Sequence, residues 1–173
     1  MQTAILGGGC FWCVEAVFNR AKGVNSAISG YAGGENPNPS YQQICTGTTG
    51  HAEVVKIEFD ETIITYEDIL DIFFEIHDPT TLNQQGADRG TQYRSVIYYI
   101  NDEQRDQAHC KMKTLQNSLP SPIVTELSSM PEFFEAEAYH QDYLSINPTQ
   151  GYCQAVVAPK VQKFMMKFSK FIK

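Results

Sequence analysis

The stretch "AILGGGCFWCVEAVF", residues 4–18, joins two apolar segments through three glycines and places two cysteines directly after them. Residues 2–6 predict a short strand, and the second apolar segment predicts a helix from about Phe11 to Arg20. Cys10 therefore lies at a strand-to-helix turn, where unpaired backbone N–H groups and the helix dipole favour a thiolate. We expect Cys10 to be a nucleophile with a lowered pKa rather than a small buried residue.

Cys13 lies one helical turn after Cys10 and completes a C-x-x-C motif, which leaves several functions open. The spacing is that of a thioredoxin-type redox pair, but the nine residues before Cys10 leave no room for the βα unit that precedes that motif in the thioredoxin fold. Zinc is disfavoured because there is no second C-x-x-C and the four histidines are scattered. The sequence predicts neither a metal site nor a cofactor.

The composition, with 42% apolar and 19% charged residues among 173, is typical of a folded domain that can bury a sizeable core. The net charge of −7 argues against a nucleic-acid partner, because phosphate binding needs clustered Lys and Arg. The only basic cluster, residues 160–173, alternates Lys with Phe and Met. It could be a membrane-surface helix, but we expect the solvated face of a packed terminal helix.

The cysteines and the N-terminal sequence indicate in which cellular compartment the protein is expected. Five cysteines, an odd number spread along the chain, make a poor disulfide framework and fit a reducing environment. Neither a secretory signal pattern nor an apolar run of about 18 residues is visible. We therefore expect a cytoplasmic protein, a monomer without a membrane partner, in which Cys45 and Cys110 are ordinary core or surface residues.

The order of predicted elements indicates an α+β fold. "HAEVVKIEFD" alternates as a half-buried strand does, and "TYEDILDIFFEIH" reads as a helix capped by Thr65. The stretches 35–50 and 79–92 read as long irregular loops, and residues 132–146 read as a helix. The β-α-β, β-α-β order predicts a two-layer split βαβ (ferredoxin-like) plait with a mixed sheet and appended C-terminal elements. We expect a single catalytic domain over residues 1–173, in which 148–173 is a partly irregular tail.

Two further residues could take part in chemistry with Cys10. Glu53 stands at the start of the third predicted strand, where it could be a proton donor or an ordinary solvated residue. Cys153 lies in a Gly-Tyr-Cys loop after Pro148, from which its thiol could swing toward another.

Several segments together carry a family resemblance: "GGGCFWCVEAVF", "GYAGG", "TGHAEVVKIEFD", "GADRGTQYRS", "AEAYHQDYL" and a final "GYC". They occur in this order over most of the chain, which resembles the A-type peptide methionine sulfoxide reductases. The resemblance implies reduction of methionine S-sulfoxide, free or in proteins, and hence repair of oxidised proteins. It also implies a role for each of eight residues: Cys10 as nucleophile, Glu53 as proton donor, Phe11 and Trp12 as the methyl pocket, Tyr41 and Tyr93 as hydroxyl donors, Asp88 as an orienting group and Cys153 as the recycling cysteine.

The resemblance further implies a Cys10 sulfenic acid, then a Cys10–Cys153 disulfide that thioredoxin or a similar dithiol reduces. Two departures from the family pattern matter here. No cysteine follows Cys153, and Cys13 stands where family members often have glycine, so a Cys10–Cys13 bond stays open although Cys153 is favoured. A thiol–disulfide oxidoreductase using Cys10 and Cys13, or a binding module with incidental thiols, are the alternatives.

Overall fold

Six strands form one mixed sheet in the computed structural model, which describes residues 1–173, and two short strands form a separate hairpin. The order across the sheet is β7-β6-β1-β3-β2-β8, and only the β6–β7 pair is parallel. The strands are β1 (Gln2–Gly7), β2 (Val24–Ala32), β3 (Ala52–Phe59), β4 (Gln84–Gln85), β5 (Asp88–Arg89), β6 (Val96–Tyr99), β7 (Glu126–Ser129) and β8 (Phe133–Glu135).

Six α-helices accompany the strands: α1 (Phe11–Asn19), α2 (Tyr41–Cys45), α3 (Tyr66–Ile76), α4 (Asp102–Gln116), α5 (Tyr143–Ile146) and α6 (Ala158–Lys167). Capping explains where two of them begin. At α3 the Thr65 hydroxyl accepts from the Asp68 N–H, and the Asp68 carboxylate accepts from the Thr65 N–H. Ser40 and Gln43 make the same reciprocal pair at α2, which lies inside the stretch predicted to be an irregular loop.

The predicted α+β class with a mixed sheet is confirmed. Helix α1 connects β1 to β2, with β3 between them, and α3 leads from β3 toward β6, with β1 between them. Residues of α1, α3 and α6 pack with one face of the sheet in an apolar core of 34 buried residues. A second buried cluster of six residues, including Ile5 and Tyr98, lies apart from this core. This arrangement leaves the ends of β1, β3 and α1 close together.

The helix predicted over residues 132–146 is wrong. Residues Phe133–Glu135 form strand β8 against the outer edge of β2, a 3₁₀ turn follows, and only Tyr143–Ile146 are α-helical. The Gln141 side chain extends this pairing, because it accepts from the Ser29 N–H and donates to the Ser29 carbonyl. Pairing with β8 gives hydrogen-bond partners to the N–H and C=O groups on the outer edge of β2. The side-chain pattern of residues 132–146 contains no information about this edge, so it could not predict the strand.

The C-terminal segment also differs from the predicted tail. Cys153 does not lie on an open loop but begins a π-helical turn, Cys153–Val157, that continues directly into α6. The expected packing of α6 is confirmed, since Val161 and Phe164 are buried while Lys163 and Lys167 pair with Glu75 of α3. None of the helices has the length and apolar character that crossing a membrane requires.

Candidate active site

A glycine turn places Cys10 between the end of β1 and the start of α1. Gly9 has a φ of +91°, in the left-handed region that favours glycine, and it turns the chain from β1 into α1. A Cβ on Gly7 would lie 2.9 Å from the Glu53 carbonyl oxygen, so glycine permits the close approach of β1 to β3. Cys10 is consequently the N-cap residue of α1, buried with 8% of its surface exposed.

Glu53 lies on β3 opposite Tyr31 of β2, and its carboxyl is buried rather than solvated. One oxygen, Oε1, accepts a hydrogen bond of 3.2 Å from the N–H of Phe11, and the other, Oε2, has no partner. Burial raises the pKa of Glu53 to about 8, with a further contribution from the charge of Asp88, against the lowering effect of the Phe11 hydrogen bond. A protonated carboxyl group therefore lies beside the residue that follows Cys10 at neutral pH.

Two tyrosine hydroxyls lie in the field of this carboxyl group. Tyr41 is the first residue of α2, and Tyr93 ends a 3₁₀ turn after the β4–β5 hairpin. Burial, followed by the charge of Glu53, raises the pKa of both phenols, so both remain protonated donors. The predicted loop over residues 35–50 thus brings one hydroxyl to the site, and the turn at the end of the predicted loop over residues 79–92 brings the other.

Aromatic rings form one wall of the site. Trp12 stacks on Tyr143 of α5, with ring centroids 3.7 Å apart and planes 3° from parallel. Phe11 is almost fully buried against Tyr31 and His140, at centroid distances of 5.6 and 5.1 Å. Phe11 and Trp12 directly follow Cys10 in the chain, and both Cys10 and Glu53 are buried.

The structure adds His140 and Glu137, which sequence reasoning did not select. The Trp12 Nε1–H donates to His140 Nδ1 at 3.1 Å, so the imidazole carries its own proton on Nε2, which is buried without a partner. Glu137 accepts from the Tyr31 hydroxyl at 3.0 Å and from the Tyr41 N–H at 2.9 Å, and so holds the start of α2. Both residues lie in the segment read as a helix, which hid their convergence on the site.

Asp88 connects the site to the C-terminal segment. Its Oδ2 accepts a hydrogen bond of 2.5 Å from the hydroxyl of Tyr152, and the Tyr152 ring meets the Trp12 ring edge-on at 5.8 Å. A cavity of about 800 Å³ is lined by Cys10, by the Asp88–Tyr152 pair and, on α6, by Lys160. Phe11, Trp12 and Glu53 are not in its wall, so the cavity reaches the site at Cys10 and Tyr152.

The expected lowering of the Cys10 pKa is wrong. Burial raises the pKa of Cys10 well above its usual range, with additional contributions from its hydrogen bond to Cys13 and from the charge of Glu53. The helix N-terminus is present, but desolvation outweighs it. The pKa of Cys13 is lowered instead, chiefly because the Cys10 thiol donates to its sulfur.

The other thiols divide into two groups. Cys153 is fully buried, and Cys45 and Cys110 are exposed. Cys110 lies on α4, away from the site, whereas Cys45 ends α2, the helix that begins at Tyr41. The structure therefore brings together seven of the eight residues predicted for the site and places the eighth, Cys153, next to Tyr152.

Comparisons with known proteins decide the family. The sequence profile described as "Peptide methionine sulfoxide reductase" matches residues 2–171. A relative of that name from Acinetobacter baumannii (strain SDF) is 56% identical over 173 residues, which is 100% of this chain and 99% of the relative. The chain belongs to the peptide methionine sulfoxide reductase family. As a member of this family it is an oxidoreductase, and the relatives that it matches are of the A type.

Solved structures agree with this family. Mxr1 from Saccharomyces cerevisiae in reduced form is 35% identical and superposes with a TM-score of 0.81, covering 88% of each chain. A structure of Mxr1 in complex with Trx2 is 24% identical in the aligned region, with a TM-score of 0.57 over 82% of this chain and 84% of that one. The second match supports the fold alone.

Proposed function

We propose that this reductase converts methionine S-sulfoxide to methionine by transferring the sulfoxide oxygen to Cys10, with Glu53 as the proton donor. The observation that carries the proposal is the buried Glu53 carboxyl, which has a pKa of about 8 and accepts from the N–H of the residue next to Cys10. A sulfoxide oxygen leaves only when it is protonated, and a carboxylic acid that stays neutral near pH 7 can supply that proton.

The reaction balances as a two-electron transfer. The Cys10 sulfur attacks the sulfoxide sulfur while the sulfoxide oxygen takes the Glu53 proton. The oxygen then passes to Cys10 as a sulfenic acid and methionine leaves. The methionine sulfur gains two electrons, the Cys10 sulfur loses two, and the thiol proton of Cys10 replaces the one that Glu53 gave.

The surrounding residues support recognition of a sulfoxide next to a methyl group. Phe11 and Trp12 offer aromatic surface, to which a methyl or thioether binds through dispersion. Tyr41 and Tyr93 remain protonated beside Glu53 and can donate to the oxygen, and Asp88 is proposed to orient the site through its contact with Tyr152. We propose that the substrate is methionine sulfoxide both free and in proteins, and hence a role in protein repair.

A second half-reaction must remove the oxidising equivalent from Cys10. We propose Cys153 as the recycling thiol, which the family resemblance implies forms a disulfide with Cys10. Thioredoxin or a similar dithiol would then reduce the enzyme. Mxr1, which is 35% identical to this chain in its reduced-form structure, has been solved in complex with Trx2, and this supports the choice of reductant.

The same proposal includes the scaffold and the setting. The order of β6, β1, β3 and β2 supports a split βαβ plait as the frame of one catalytic domain. The proposal also includes action as a monomer. The odd, dispersed set of cysteines supports a cytoplasmic location.

The Glu53→Gln variant tests the role of the carboxyl. Gln keeps the shape and can donate a hydrogen bond, but it cannot transfer a proton. The single-turnover rate of methionine formation should therefore fall by about 10²-fold or more. Glu58→Gln, on the same strand, is the matched control and should keep the wild-type rate. An unchanged rate in Glu53→Gln would remove Glu53 from the chemistry.

A further inference from the structure

We propose that Glu15 is a positioning residue for the aromatic wall of the site, because its buried carboxyl holds the start of α5 where Tyr143 stacks on Trp12. The inference rests on the proposed function, in which the Trp12 ring forms part of the methyl pocket. Glu15 lies on α1 one helical turn after Trp12 and acts on the reaction through that ring, not on the reacting atoms.

One side of α1 carries both of the side chains that hold the start of α5. Trp12 and Glu15 are three positions apart, so they lie on the same side of the helix. The Trp12 ring stacks on Tyr143 at 3.7 Å, and Glu15 Oε1 accepts a hydrogen bond of 2.8 Å from the Asp142 N–H. Two consecutive residues of one segment are therefore bound by two neighbouring side chains of α1.

The Glu15 carboxyl is buried, which is uncommon for glutamate. Only 2% of the residue is exposed, and a buried carboxyl group is costly unless it has a hydrogen-bond partner. Burial raises the pKa of Glu15 to about 7, while the hydrogen bond from the Asp142 N–H lowers it. The buried carboxyl is thus bound to α5 in place of solvent.

The start of α5 depends on contacts with other elements. Asp142, its N-cap residue, has a φ of 54°, in the left-handed region that residues other than glycine rarely adopt, and its side chain makes no capping hydrogen bond. The helix itself has only four residues, too few to be stable alone. Glu15 supplies the acceptor for the backbone N–H of this left-handed residue.

Two further contacts limit what Glu15 has to hold. Gln141 is hydrogen-bonded to the backbone of β2, and the Arg20 guanidinium donates to Ser145 Oγ at 3.2 Å. The backbone between these two anchors includes Tyr143. Losing the Glu15 contact should therefore let the Tyr143 ring shift without releasing the whole segment.

Tryptophan fluorescence reports on this stack directly, because Trp12 is the single tryptophan of the chain. Glu15→Ala should shift the emission toward that of Tyr143→Leu, which has no stack, whereas Glu15→Gln keeps an acceptor oxygen and should stay close to wild type. Glu135→Gln is the matched control, since it changes an exposed carboxyl in the wall of a cavity of about 700 Å³ that Glu15 also lines. A Glu15→Ala spectrum identical to that of wild type would overturn the proposal.

Single-turnover kinetics show whether the contact affects substrate binding rather than chemistry. The rate of methionine formation is measured against the concentration of methionine S-sulfoxide. Glu15→Ala should raise the half-saturating concentration about fivefold or more, the scale of one buried hydrogen bond, and leave the plateau rate within about twofold of wild type. Glu15→Gln should restore most of the binding. A lower plateau at an unchanged half-saturating concentration would overturn the proposal.

The pH dependence of the same fluorescence compares two variants that differ only at the carboxyl. The ionised carboxylate is the stronger acceptor, so wild-type emission should change around pH 7, the pKa of Glu15. The other charged or titratable groups on the surrounding elements, Arg20, Glu135, His140 and Asp142, are unchanged in Glu15→Gln. The change around pH 7 should be absent from Glu15→Gln, and its persistence there would overturn the proposal.

These measurements separate the inference from the proposed function. The fluorescence of Trp12 needs no turnover, so it decides whether Glu15 holds the stack even if wild type forms no methionine and the proposed function fails. If instead Cys10→Ser abolishes methionine formation while Glu15→Ala changes neither the spectrum nor the half-saturating concentration, the inference fails and the proposed function stands.

Discussion

Glu53 and Cys10 are ionisable groups in one buried site, and burial favours the protonated form of both. For Glu53 this outcome suits a proton donor. For Cys10 it opposes the thiolate that the helix N-terminus favours, so the nucleophile must lose its proton within the site. The glycines in the sequence indicate the helix terminus but not the depth of burial, because three of the nearby rings, those of His140, Tyr143 and Tyr152, come from segments more than a hundred residues after Cys10.

The raised pKa of Glu53 should make stability depend on pH. Between about pH 4.3, where an unfolded Glu titrates, and pH 8, the unfolded chain releases a proton that folded Glu53 keeps. Rising pH therefore favours unfolding across this window, by about 1.4 kcal/mol per pH unit. Wild type should lose stability relative to Glu53→Gln from pH 5 to 7.5, as measured by denaturant unfolding of both proteins.

The measured quantity is the difference in unfolding free energy between wild type and Glu53→Gln, because the other ionisable groups titrate equally in both proteins. Glu15, whose pKa burial raises to about 7, is one of them. A difference in unfolding free energy that stays constant from pH 5 to 7.5 would mean that Glu53 ionises normally in the folded protein.

The proposed recycling step depends on the π-helical turn that begins at Cys153. π-Helical turns are uncommon, and they are frequent at functional sites. Here the turn is held by the Tyr152 hydroxyl on Asp88 and by the Gln150 side chain on the Cys153 N–H. Because Cys153 is fully buried, this turn must open before a reductant can reach its sulfur.

Removing the Tyr152 hydroxyl should loosen the turn. Tyr152→Phe keeps the edge-on contact with Trp12 but loses the hydrogen bond to Asp88, which contributes about 1 kcal/mol or more. Amide hydrogen exchange over residues 150–157 should become about fivefold faster or more. Tyr99→Phe, on strand β6, is the control, and equal exchange in both variants would mean that the hydroxyl does not hold the turn.

An element could be predicted from the sequence when the interactions that form it lie within its own segment. Helix α3 was predictable because its capping box and apolar spacing lie within the segment itself. Strand β8 was not, since it forms to pair with β2, and the 3₁₀ turn after it exists because Glu137 and His140 bind groups of other elements. The π-helical turn at Cys153 was not predictable either, because Pro148 and Gly151 just before it favour a loop.

Across the whole molecule, the strand order brings together segments that are far apart in the chain. Cys10 follows the end of β1, Glu53 lies at the start of β3, and Tyr93 lies just before β6. A glycine precedes each of these positions by one to three residues. Residue types and motif order predicted this set, and the structure places it in one buried site. The partners that position it, above all His140 and Glu137, depend on contacts between elements that a single sequence does not display.

The most direct test of the central claim is a single turnover without reductant. Reduced wild type and Cys10→Ser are each mixed with excess methionine S-sulfoxide, and methionine is counted per enzyme in the first phase. Oxygen transfer to Cys10 predicts that wild type releases methionine in a burst while Cys10→Ser, with an alcohol that is neither soft nor ionised, releases none. A burst of equal size in Cys10→Ser would contradict the account.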